Sequence, residues 1–278
     1  MRAFLRRAFH HQLYGNGYSR ARFSLLGIFI QECKVIFTQF FSWRFPIFSL
    51  YRLVVIFISS IVRLLLGRSL KYSFGFSGED RILEGIYKPV IDRPGYYVDV
   101  GCNHPVFLSN TYGLYRKGWR GLCIDANEDL IKKHRKYRPK DLAICALVSN
   151  EEKEREFYKV SNDGLSTTEK GNLAEQEIQR LGYQTETHHS KTLTSILRDA
   201  GAPEHIDILS IDVEEHDFQV LQSLDFNAFK PKVIVIEDET FDVYDARDHR
   251  IVDFLIARGY DLEGYVLKNL YFSLKKSI

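Results

Sequence analysis

Acid is nearly absent from the first quarter of the chain. Residues 1–72 hold eleven bases and only Glu32 as an acid, a net of +10, whereas 73–278 hold 27 bases and 35 acids, a net of −8. The overall +2 of the 278 residues hides this split. Such asymmetry marks a surface-seeking segment beside a separate domain. Other shortages narrow the field further. None of the four cysteines (Cys33, Cys102, Cys123, Cys145) belongs to a C-x-x-C pair, which excludes the common zinc and thiol-redox motifs. No Asn-x-Ser/Thr acceptor occurs, and a cytosolic, reduced location is the expectation. The start is basic and aromatic but has no continuous apolar stretch of the kind a secretory leader carries. Long hydrophobic runs are also missing. The best candidate, 46–66, is broken by Arg52 and Arg63, leaving ten clean residues, Leu53–Val62, against the ~18 that a span requires. A helix lying in the membrane interface, its Arg heads beside Trp43, Phe45, Phe48 and Tyr51, fits best. A true span and a packed helical arm are the alternatives.

At 45% hydrophobic and 27% charged residues, the composition is that of a globular chain rather than a disordered, collagenous or multi-span one. The 206 residues after the basic segment suffice for one domain with a sizeable core. Their pattern alternates short apolar strands with amphipathic helices. Strands are predicted at Tyr96–Val100, Gly121–Ala126, Leu142–Val148, Ile206–Val213 and Val233–Glu237. Helices are predicted from the Gly101–Pro105 turn through Lys117, and at Glu128–Arg138, Leu193–Ala200, His216–Leu224 and Arg250–Arg258. Arg155–Val160 is expected as a hairpin partner, and Ser161–His189 as a long polar insertion with helix near Leu173–Leu181. Tyr260–Val266 and Leu270–Leu274 are too close for a crossover helix and should pair antiparallel. The whole implies an α/β fold with a mostly parallel sheet covered on both faces.

In such folds ligands bind beyond the carboxyl ends of the strands. The first strand ends Val98-Asp99-Val100-Gly101-Cys102-Asn103, with a glycine where the chain must turn tightly and an acid able to accept hydrogen bonds. Glycines are missing where a G-x-G-x-x-G dinucleotide cradle would need them, at Asn103 and Val106. Asp125 closes the second strand, where one carboxylate can accept both hydroxyls of a ribose, with Ala126 beside it. Ala146 ends the third, at the place of an adenine edge. The run Asp207–Asp217 (DILSIDVEEHD) finishes in four acids and His216, and Glu237-Asp238-Glu239 ends the next strand. Carboxylates crowded on two neighbouring strand ends raise one another's proton affinity. Asp212, Glu214, His216 and Glu237 are therefore the candidates for binding an acceptor or removing its proton. A divalent cation held by Asp212 and Glu237 is a lesser alternative, and no metal site is assigned.

These motifs resemble the FkbM-type family of S-adenosylmethionine-dependent methyltransferases. The carrying stretches are VDVGCN (98–103), Asp125, KTLTSIL (191–197), IDILSIDVEEHDFQVL (206–221) and VIVIE (233–237). The resemblance implies a class I methyltransferase fold, Rossmann-like and seven-stranded with one antiparallel strand, over residues 73–278 and preceded by the helical arm 1–72. It implies S-adenosylmethionine as cofactor, bound near Asp99, Gly101, Asn103, Asp125, Ala126 and Ala146. It also implies methylation of a hydroxyl on a sugar, glycan or other small acceptor, in the manner of surface-polysaccharide biosynthesis. Three departures stand out. Glu215 replaces a usual Gly, Asp217 a usual Glu, and Pro105 a frequent Gly, with His104 beside it able to act as base or to cap the turn. The alternatives are a non-catalytic membrane adaptor and a nicotinamide-dependent sugar oxidoreductase. Nucleic acid is not expected as a partner, because the domain is acidic overall despite the basic run Lys132–Arg138, expected as a solvated face. The expected location is the inner face of the cytoplasmic membrane, with peripheral contact through 1–72.

Overall fold

The computed structural model describes residues 73–75, 78–86, 94–160, 183–214, 216–245 and 249–275, with Val54 and Ile58 besides. By its internal contacts the chain divides into two compact units, Met1–Tyr72 and Ser73–Ile278. The expectations for 46–66, for helix near Leu173–Leu181 and for Glu215 lie outside the described residues, apart from Val54 and Ile58, both exposed. Among the described residues no helix is long and apolar enough to cross a membrane.

The second unit runs α1 (Glu79–Ile86), β1 (Tyr96–Val100), α2 (Tyr112–Arg116), β2 (Arg120–Asp125), α3 (Glu128–Tyr137), β3 (Leu142–Cys145), β4 (Glu154–Val160), β5 (Tyr183–His189), α4 (Leu193–Asp199), β6 (Ile208–Ile211), α5 (Asp217–Gln222), β7 (Val233–Glu237), a 3₁₀ turn (Val243–Asp245), α6 (Arg250–Ile256), β8 (Tyr260–Val266) and β9 (Asn269–Leu274). Seven strands form one sheet in the order β3-β2-β1-β6-β7-β9-β8. The first five are parallel, and β9 alone runs against both neighbours. The apolar strand pattern predicted this mostly parallel sheet and its antiparallel closing pair, and the family resemblance implied its seven strands with one antiparallel.

Strand residues alternate between two apolar layers. Val98, Val100, Leu122, Ile124, Leu209, Ile211, Ile234 and Ile236 meet Leu193, Leu197, Val220, Leu221, Ile251 and Leu255 from α4, α5 and α6. Tyr97, Cys123, Ile208, Val233, Val235 and Tyr271 meet Leu83, Leu114 and Ile131 from α1, α2 and α3 on the other face. Burial on both faces explains why the central strands read as continuous apolar runs.

Several boundaries differ from expectation. The helix after β1 begins at Tyr112, not at Pro105. Asn103 and Leu108 take left-handed backbone angles (φ 44° and 54°), which no helix accommodates, and Ser109 Oγ accepts the Tyr112 N–H at 3.1 Å to start the helix late. Pro105 is therefore a loop residue. Strand β3 stops at Cys145, and beyond it only Val148 bridges to Lys191. Tyr183–His189, expected within the insertion, is a strand paired antiparallel with β4 in a separate two-stranded sheet. Arg155–Val160, expected to form a hairpin with the third strand, therefore pairs elsewhere, because β3 is the edge of the main sheet and has only β2 as neighbour. His134 and Arg138, expected on a solvated face, are fully buried. They lie on the side of α3 turned to the sheet, where Arg138 finds several polar partners and His134 bonds through Nε2 while its Nδ1 has no partner among the described residues.

Candidate functional site

The parallel strands point their carboxyl ends to one edge, and every residue singled out for cofactor or acceptor chemistry lies on or just past a strand end there. After β1 the chain turns at Gly101 with φ +76°, where a Cβ would stand 1.6 Å from the Asp212 carbonyl oxygen. Only glycine allows the β1 and β6 loops to approach so closely. The Gly101 and Cys102 N–H groups donate to Ile124 O (2.9 and 3.1 Å), and Asp212 N–H donates to Val100 O (3.0 Å). Three strand ends are thereby laced together.

Asp125 continues the lacing with its side chain. One carboxylate oxygen accepts the Asn103 N–H at 2.9 Å and the other the Asn127 N–H at 2.8 Å. Asn127 in turn caps α3, its Oδ1 accepting from Asp129 N–H at 3.0 Å. From below, His134 Nε2 lies 3.0 Å from the Asn103 carbonyl. Burial, reinforced by the Arg138 charge, lowers the His134 pKa to about 3. The ring is then neutral and donates to that carbonyl. His104 caps the same loop, its Nδ1 accepting from Val106 and Phe107 N–H groups at 3.3 and 3.2 Å. One of the two roles considered for His104, capping the turn, is present in the structure.

Asp99 sits lower, 4% exposed, with its carboxylate accepting from Thr111 Oγ1. Burial pushes its carboxyl up, against the pull of Arg138. Thr111 also accepts from Arg138 Nη2 (3.0 Å), which donates to Tyr97 OH (2.6 Å) as well, while Arg138 Nε reaches Asp141 at 2.7 Å. This buried network was missed at the sequence level. Its one hint was the run of polar residues Ser109-Asn110-Thr111 inside what read as a helix. Asp99 thus lies beneath the strand-end loops and is linked to the start of α2 through Thr111. Ala126 is buried against Leu147 and Phe157, and Ala146 N–H donates to Asp125 O at 3.0 Å. Both keep the β2 and β3 ends small.

At the neighbouring strand ends, one carboxylate oxygen each from Asp212, Glu214 and Glu237 lie within 4.8 Å of one another. Burial and then the Glu237 charge hold the Asp212 carboxyl well above the usual range, and burial first among causes raises Glu237. Asp217 opens α5, accepts the Val213 N–H at 3.0 Å and is pushed up to about 8, chiefly by burial. Three of the four residues proposed for acceptor chemistry are therefore brought together. His216 is not among them: it is buried, with Nε2 3.0 Å from Ser149 Oγ. Lys268, in the turn between β8 and β9, ion-pairs with Glu239 and lies in the field of Glu237 and Glu214.

A family model described as the methyltransferase FkbM domain matches residues 99–262, spanning the whole edge from β1 to β8. Comparison with curated proteins returns no match. Five solved chains match, among them the crystal structure of monomeric WbdD, at 15% identity and a TM-score of 0.36. That alignment covers 70% of this chain, which spans 40% of the WbdD chain, and the similarity is too low to bear on fold or activity.

Proposed function

The chain belongs to the FkbM methyltransferase family, and from that premise we propose that it transfers a methyl group from S-adenosylmethionine to a hydroxyl of a sugar or glycan. The observation that carries this reading is the meeting, on one sheet edge, of the Asp125-laced loops and the Asp212–Glu214–Glu237 group.

The residues present fit the cofactor. Gly101, Ala126 and Ala146 keep three strand ends free of bulk, and the half-buried Asp125 is an acceptor placed for ribose hydroxyls. A carboxylate offers about four lone-pair sites, so the two backbone bonds to Asp125 do not preclude that role. Asn103 and Gly101 set the loop that faces the methionine part, and Asp99 holds that loop through Thr111. When bound, S-adenosylmethionine supplies a methyl group on a sulfonium, already a good leaving group. The protein's own work is to bring an acceptor oxygen into line and take its proton. Asp212, Glu214 and Glu237 are the groups for this, because an acceptor hydroxyl donates to carboxylates. Family membership favours this reading over a nicotinamide-dependent oxidoreductase. We further propose that residues 1–72, with eleven bases among aromatic and aliphatic residues, hold the enzyme at the anionic inner face of the membrane, near polysaccharide intermediates.

Calorimetric titration with S-adenosylmethionine, coupled to transfer of its labelled methyl group into a cell-surface glycan extract, tests the proposal. The intact protein should bind the cofactor and label the extract, and Asp125→Ala should lose binding by roughly a hundredfold or more, as expected when about 3 kcal/mol of charge-assisted hydrogen bonding is removed. Near-normal affinity in that variant would remove the ribose role. Cofactor binding without any methyl transfer would favour the adaptor alternative.

A further inference from the structure

Beside the acid group at the β6 and β7 ends lies a residue that no sequence motif announced. Asn269 opens β9 and is the register partner of Glu237. Directly opposed residues on antiparallel strands put their side chains on the same face, about 4.5–5.5 Å apart at Cβ. Asn269 is only 8% exposed, and its Oδ1 has no hydrogen-bond partner among the described residues. Buried acceptors left unpaired are rare and demand a reason. The raised Asp212 and Glu237 carboxyls share a hydrogen bond with each other, Glu214 is an acceptor when ionised, and no donor reaches Asn269 Oδ1 among the described residues. Lys268, the adjacent cation, is engaged by Glu239. A cation between the carboxylates would replace the hydrogen bond that Asp212 and Glu237 share and would give the Asn269 oxygen, on the same face as Glu237, a partner.

We propose that Asp212, Glu214, Glu237 and Asn269 form a binding site for a hard divalent cation such as Mg²⁺ or Mn²⁺. Three carboxylates and an amide oxygen, with no nitrogen or sulfur ligand, are the donor set such ions take. The carboxylate oxygens already lie within 4.8 Å of one another, the spacing of ligands around a single ion. Only the use of the cation rests on the methyl-transfer reading: it would hold the acceptor's hydroxyl oxygens and make them more acidic.

The test uses the full chain and Mn²⁺ alone, with bound metal read by electron paramagnetic resonance. One Mn²⁺ per chain, displaced by Mg²⁺, is expected. Glu237→Gln and Asn269→Ala should each weaken binding roughly tenfold or more, while Glu151→Gln, an exposed acid remote from this edge in sequence, should not. No bound Mn²⁺ at millimolar metal overturns the site. So does unchanged affinity in both Glu237→Gln and Asn269→Ala. Should Asn269→Ala fail to fold, Glu237→Gln decides alone. Calorimetry with S-adenosylmethionine on the same samples separates the two proposals: Mn²⁺ binding without cofactor binding upholds the cation site and sinks the methyl-transfer reading.

Discussion

His134 shows how one residue ties the site to pH. Its folded pKa of about 3 lies below the ordinary 6.5, so the unfolded chain binds the proton that the folded one refuses. Stability from this group is complete above pH 6.5 and is lost as pH falls toward 3, by up to about 5 kcal/mol. His134→Gln keeps an N–H near the Asn103 carbonyl but cannot titrate. Urea denaturation of both proteins across that range should show a shallower acid decline for the variant, and parallel curves would refute the assignment. The sequence did not reveal this role, since the helix surrounding His134 reads as basic and solvated until its buried face is known. The tight turn at Gly101 and the place of Asp125 at a strand end were legible, because a glycine after one strand and an acid closing the next mark the carboxyl edge of such a sheet. Asn269 was not, because pairing between β7 and β9 joins residues 32 apart that no local pattern connects.

Among the elements, α3 and the loop before α2 meet through Arg138 and Asp141. Asp141 accepts from Arg138 Nε (2.7 Å), Tyr97 OH (2.6 Å) and Gly121 N–H (3.1 Å), fastening α3 to β1 and β2. Both partners of the ion pair are at most 1% exposed. Removing one charge leaves the other buried and uncompensated, which costs about 3–5 kcal/mol. Asp141→Asn should lower the chemical-denaturation free energy by that order, and a change under 1 kcal/mol would show that the network is dispensable. The parallel strands themselves were readable from their apolar runs, and the β8–β9 pair from the shortness of its connection. Helix starts were harder. Ser109 and the left-handed Leu108 delay α2, and such caps override a run that scores as helical. Strand β5 hid because its residues are polar on both sides, its apolar contact being the edge of Phe157 against His188.

For the molecule as a whole, the charge boundary near residue 72 coincides with the division between the two compact units. If the basic segment seeks anionic lipid, the full chain should sediment with phosphatidylserine-containing vesicles and not with neutral ones, and added salt should release it. Equal sedimentation with both kinds of vesicle would exclude an electrostatic origin. The composition made this split plain, while the sheet order had to come from the fold. That order has a consequence for synthesis. β7 is paired on one side by β6 and on the other only by β9, which follows it by more than thirty residues. A nascent chain that has emerged only as far as α6 therefore carries a bare, fully apolar VIVI edge, a template for pairing with other chains. Until Asn269–Leu274 leaves the ribosome, that edge has no strand of its own chain to cover it.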